Sequence, residues 1–135
     1  MPAGSNKLVE NLADYLAAGG VGTVATNIFI GGLTDSPDDQ VNLNASGGVE
    51  PNRENPIKQP TVQITVRNIA YDTGLLKITT IYDLLHQLND AAVLASGGVD
   101  VMNCFALQEP THLMKDESDR HIFVCNFVFM LRGSD

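Results

Sequence analysis

Residues 61–88 read TVQITVRNIAYDTGLLKITTIYDLLHQL, and the change of period inside this stretch decides the fold. Across Thr61–Asn68 the apolar Val62, Ile64 and Val66 alternate with Gln63, Thr65 and Arg67, the period-two pattern of a β-strand with one buried face. Pro60 marks its start. After the Asp72-Thr73-Gly74 punctuation, Leu75, Ile78, Ile81, Tyr82, Leu85 and Leu88 recur at three- and four-residue spacing, which predicts a helix with one apolar side. Thr80, Asp83, Gln87 and Asp90 take the opposite side. Such a strand and helix bury their apolar faces only against each other and further elements, so Val62, Ile64, Val66, Ile81, Tyr82 and Leu85 are expected in one core.

A chain of 135 residues fits a single domain, 1–135, and folding at this length buries roughly two-thirds of the exposable surface. No apolar run approaches the ~20 residues that span a bilayer, and the first residues lack the basic and apolar segments of a secretory signal. The expectation is a protein that stays in the cytoplasm where it is made and has no membrane partner. Sixteen acidic against eight basic residues give a formal charge of -8, the opposite of a phosphate-gripping surface. Acidity still permits DNA to pass nearby without adhering. Cys104 and Cys125 are too few and too far apart for a disulfide framework or a zinc pattern and read as small apolar fillers.

Toward the N-terminus, Ser5 as N-cap, then Leu8, Val9, Leu12, Tyr15 and Leu16, predict a helix over Asn6–Ala18 stopped by Gly19-Gly20. Asn27–Ile30 and Val41–Ala45 are β-prone, and the turn-forming Leu33–Gln40 between them predicts a hairpin with an acidic tip. Ser46–Gln59, rich in Gly, Pro and Asn, reads as a long exposed loop. Toward the C-terminus, Val99–Leu107 suggests a strand interrupted at Glu109-Pro110, and Thr111–Met114 with His121–Arg132 a second hairpin around the charged Lys115–Arg120. The last arm, Ile122–Leu131, is apolar on both faces except at Asn126; helices can cover one side, and the other asks for a second layer or a neighbouring subunit. The shared Ala-Ser-Gly-Gly-Val of 45–49 and 95–99 reflects reused turn residues, since the flanks do not match.

The residues that could carry chemistry are few and scattered. His86, His112 and His121 have no metal-ligand spacing, and His86 reads as a partly buried residue at the edge of the helix's apolar arc. Cys104 with His112 could be imagined as the nucleophile and base of a small cytoplasmic hydrolase, but no orienting third residue or oxyanion turn accompanies them. Gly19–Thr23 lacks the lysine and following helix of a phosphate loop, and Asp35, Asp38 and Asp39 lack calcium-loop spacing. No catalytic residue, metal or cofactor is expected.

The order of elements resembles the tail terminator proteins of long-tailed bacteriophages, also called minor capsid or tail-completion proteins. The resemblance is carried by Ile28–Asp39 with Val41–Leu43 and Gly47-Gly48, by Gln59–Arg67, by Ile81–His86, and by Ile122–Leu131 after a charged turn. It implies an α+β domain with a mixed, mostly antiparallel sheet, two helices on one face and two projecting loops or hairpins. It also implies a homo-oligomeric, usually hexameric ring at the head-proximal end of the tail, between the tail tube protein and a head-completion or neck protein, with genome DNA passing through unbound. A head-tail connector or a tube subunit is the alternative within the same fold type. On this reading the contact residues are expected in the polar loops and turns: Asp35, Pro37, Asp38, Asp39, Arg53, Glu54, Asp116 and Glu117.

Overall fold

A computed structural model describes residues 4–23, 26–34, 37–45, 57–58, 61–86, 88–89 and 101–132. Helix α1 spans Gly4–Ala18, starting two residues ahead of the expected Asn6, and buries Val9, Leu12, Ala13 and Leu16 while Glu10 and Asp14 face solvent. Its end is a Schellman motif: the Gly20 N–H donates to Ala17 O at 3.1 Å and the Val21 N–H to Leu16 O at 3.0 Å. Gly20 sits at φ +87°, where a Cβ would be strained.

Strand β1 is Ile28–Ile30, β2 Gln40–Ala45, β3 Ile57–Lys58 and β4 Thr61–Asn68, the last with the expected bounds. In β4, Val62, Ile64 and Val66 are buried and Thr61, Gln63 and Thr65 half-buried. Helix α2 runs Tyr71–Leu85, beginning before the Asp72-Thr73-Gly74 expected to precede it, and buries Gly74, Ile78, Ile81 and Leu85. Gly74 is not punctuation but a packing site: a Cβ there would fall 2.5 Å from the ring of Phe123. The helix also stops before Leu88, which falls in β5, Leu88–Asn89. His86 is extended, and its Nδ1 accepts the Ala106 N–H at 3.0 Å while its ring stacks on Tyr82, so the residue that ends the helix is tied to the sheet.

Strands β6 (Val101–Ala106), β7 (Thr111–Lys115) and β8 (His121–Arg132) complete an eight-stranded sheet of order β1-β2-β4-β8-β6-β5. The apolar β8 is its hub. One edge of β8 pairs with β4 and, in the same register, with β3; the other pairs with β6 and then β7, all antiparallel. Between β6 and β7 the Leu107 N–H still reaches Asn126 O at 2.8 Å before the chain bows out at Gln108–Pro110, the interruption expected from Glu109-Pro110. Cys125 fills that bow, its Sγ 3.2 Å from Gln108 O.

Both helices lie on one face of the sheet, joined by the Tyr15 hydroxyl donating to Leu84 O at 3.4 Å. Val62, Ile64, Val66, Ile81 and Leu85, with Tyr82 packed against them, belong to one core that also takes in Phe123, Cys125, Phe127 and Phe129 of β8. The domain is therefore α+β with a mixed, mostly antiparallel sheet. On the other face of β8, Ile122 and Val124 are buried among neighbouring side chains and Val128 and Met130 are half-buried. Among the described residues no helix packs there.

One expectation fails in detail. Strands β1 and β2 form no antiparallel hairpin; they are parallel neighbours, Ile28 beside Val41 and Ile30 beside Leu43. Parallel neighbours ordinarily need a crossover of a dozen or more residues, and here only 31–39 intervene. The described parts of this connection, 31–34 and 37–39, form a strap over the outer face of β2, and two buried amides hold them. Asn42 Oδ1 accepts the Gly32 N–H at 2.7 Å, and Gln40 Oε1 accepts the Thr34 N–H at 3.1 Å while its Nε2 donates to Thr34 O, Thr34 Oγ1 and Pro37 O. Side chains here take the place of a backbone ladder.

Candidate assembly surfaces

The strap is clamped at its far end by two arginines. Arg67, on the outer face of β4 and only 4% exposed, donates from Nη2 to Pro37 O at 2.7 Å and from Nε to Asp38 O at 3.2 Å. Arg120, at the start of β8, reaches the Asp38 carboxylate at 3.3 Å and the Asp116 carboxylate at 2.8 Å. Guanidinium suits this position because its planar donors serve carbonyls and carboxylates in several directions at once. The 37–39 tip, expected to project freely, is folded back against β4 and the β7–β8 turn, with Pro37, Asp38 and Asp39 exposed along its rim.

The β7–β8 turn is organised from within. Asp116 accepts the Ser118 N–H and the Arg120 N–H, both at 2.9 Å, and the Asp116 N–H donates to Arg120 O at 2.9 Å. Asp119 occupies the left-handed region at φ 62°, which a short polar side chain tolerates. Partial desolvation pushes the Asp116 carboxyl up, but the Arg120 and Ser118 N–H groups and the Arg120 guanidinium outweigh it and hold the group below the usual carboxylate range. Asp116 is thus a turn organiser, and Glu117 beside it is exposed. Lys115 and Asp119 form a solvated pair of the kind that contributes little.

Of the residues expected at contacts, the structure brings Asp38 and Asp116 together through Arg120 and leaves Pro37, Asp39 and Glu117 open to solvent. Asp35, Arg53 and Glu54 lie outside the described residues. The imagined pair of Cys104 and His112 is not brought together. Cys104 faces Phe129 across the sheet and His112 faces Phe123, six residues or roughly 20 Å further along β8. Cys104 is also fully buried, which pushes its thiol far above the usual range and away from the nucleophilic thiolate. Among the described residues no cluster of three or more His, Cys, Asp or Glu is placed to hold a metal, and no helix is long and apolar enough to cross a membrane.

Sequence reasoning missed the exposed apolar residues at the sheet margins. Every side chain of β7 is exposed, Leu113 at 59% and Met114 at 50%, and Leu107 precedes them on the same margin. Ile30 on the opposite edge strand, β1, is also half exposed.

These features define a two-layer α+β domain whose distinctive groups lie in clamped loops and sheet margins. Residues 15–132 match the family of bacteriophage tail terminator proteins, and the chain belongs to that family. No curated protein matches it.

Proposed function

We propose that this chain caps the head-proximal end of a phage tail tube as a closed ring of identical copies, a hexamer by the family resemblance. The ring ends tube growth and forms the joint to the head-completion or neck protein. The observation that carries the reading is membership of the tail terminator family over almost the whole chain. Head-to-tail contacts that close satisfy every lateral surface while presenting different faces above and below, which lets a ring end a polymer. The sheet suits such contacts because its two margins are unlike: β1 beside the strap, and β5 and β7 beyond β8. The exposed Asp38 and Asp39 on the rim with Pro37, and Glu117, supply contact groups. A net charge of -8 suits a lumen through which DNA slides.

The test is deletion of the gene followed by electron microscopy of lysates, with native mass spectrometry of the purified protein. DNA-filled heads lacking tails, tubes of uncontrolled length and a discrete oligomer are expected. Normal tails joined to heads in the absence of the protein would overturn the proposal. Asp39→Lys with Glu117→Lys, chosen because neither carboxylate is used in the Arg120 clamp, should weaken joining while leaving the monomer folded.

A further inference from the structure

At the end of the molecule where α2 begins, two imidazoles from adjacent strands face each other in the open. His112 of β7 and His121 of β8 approach through Nε2 and Nδ1 at 3.1 Å, His112 exposed and His121 half-buried. The Tyr71 ring stands 5.2 Å from one and 5.3 Å from the other, and Phe123 backs His112 at 5.1 Å. In the pair as it stands, one nitrogen carries the proton and the other accepts it. We infer that this pair is a binding site for a borderline divalent transition-metal ion, of which zinc is the representative, held by His112 Nε2 and His121 Nδ1 with water completing the coordination.

The geometry supplies the reason. Zinc–imidazole bonds of about 2.0–2.1 Å at a tetrahedral angle separate two ligand nitrogens by about 3.3 Å, so opening the pair by a few tenths of an ångström admits the ion. The ring whose facing nitrogen carries the shared proton moves it to its far nitrogen by tautomerisation, so Nδ1 of His112 and Nε2 of His121 are then the protonated atoms and both facing nitrogens offer a lone pair without net loss of a proton. Two neutral nitrogens favour zinc, nickel or copper over magnesium and calcium, which take oxygen ligands. The donors are held in advance because β7 and β8 are hydrogen-bonded neighbours closed by the Asp116–Arg120 turn. Lys115 lies opposite His121, but its ammonium is 3.7 Å from the Asp119 carboxylate, which offsets its charge.

A further group on the same face points to a polar ligand. Asn68 lies directly across from His121 in the β4–β8 register and is 2% exposed. Its Oδ1 is engaged by the Ala70 N–H at 2.9 Å, while its Nδ2 has no partner among the described groups. A buried donor left over is costly, and a water or hydroxide oxygen carried by the ion is the kind of acceptor it lacks.

The test uses the untagged full chain, stripped with chelator and titrated with zinc alone at neutral pH, with magnesium as control. Calorimetry should show one zinc per chain and no magnesium binding, and the imidazole resonances of His112 and His121 should move together while those of His86 stay. In His112→Gln or His121→Gln, affinity should fall by at least about tenfold, and in His86→Gln it should not change. Absence of zinc binding, binding that survives both Gln variants, or a shift of His86 alone would overturn the inference. If either variant failed to fold, the wild-type resonances would decide the matter.

Discussion

Replacing Gly74 by alanine should destabilise a helix that propensity alone says it should strengthen. In an open helix interior the change is worth about 1 kcal/mol in favour of alanine. Here the new methyl would stand 2.5 Å from Phe123 Cε1, 3.1 Å from its Cδ1 and 3.1 Å from Asn68 Cβ, against an ordinary carbon contact of about 3.5–4.0 Å. The ring must therefore retreat by about 1 Å. Phe123 is fully buried, paired with Val66 on one side and His112 on the other, and packed on Tyr71, so retreat displaces several neighbours. Overpacking of this kind costs about 1–3 kcal/mol, and its upper half leaves a net loss of about 1–2 kcal/mol after the helical gain. Urea denaturation at one fixed protein concentration measures this as a lower midpoint with unchanged slope. Thr73→Ala, one residue away and exposed, is the control and should be neutral or slightly stabilising. In Gly74→Ala with Phe123→Leu the two losses should be less than additive, because the second change makes room for the first. A Gly74→Ala chain more stable than wild type would refute the close packing of α2 on β8.

Leu85→Ala, at a fully buried position in the core, should cost about 2–5 kcal/mol in the same assay. Gln40→Leu keeps the volume but removes the bonds that hold the strap, and a loss of roughly 2–3 kcal/mol is expected, with faster amide exchange at Gly32 and Thr34 while β4 stays protected. The lowered carboxyl of Asp116 contributes stability that is complete above the unfolded value of ~3.9 and disappears as pH falls through the lower folded value. Asp116→Asn should therefore flatten the fall in stability below about pH 4, measured as unfolding midpoint against pH.

The elements governed by a repeating pattern were legible in the sequence. The alternation of Val62, Ile64 and Val66 defined β4 residue by residue, and the apolar run Ile122–Leu131 marked the strand that proved central. What alternation lacks is direction: Ile28–Ile30 and Val41–Ala45 look the same whether paired parallel or antiparallel. Direction is fixed instead by Gln40 and Asn42, which as polar residues on an alternating strand read as solvent-facing and are in fact buried under the strap. Arg67 misleads in the same way, since its charge suggests water and its guanidinium serves the carbonyls of Pro37 and Asp38. Gly74 carried a turn signal whose cause was a ring more than forty positions away in the chain. The His112–His121 pair had one readable sign, their places on facing arms of the terminal hairpin, but only the side-chain geometry shows that the two rings meet.

The placement of β8 also bears on how the chain is made. It follows in sequence all four strands it joins, so on the ribosome β3, β4, β6 and β7 each emerge before the partner that will pair with them. Translation at about 5–20 residues per second leaves them waiting for seconds, with Val62, Ile64 and Val66 still lacking their β8 neighbours Phe127, Cys125 and Phe123. The sheet closes in one late step once residues 121–132 are free, and a nascent chain stopped short of them lacks the strand around which the others assemble. This member of the tail terminator family thereby completes its sheet only after its own synthesis has passed the strand that holds it together.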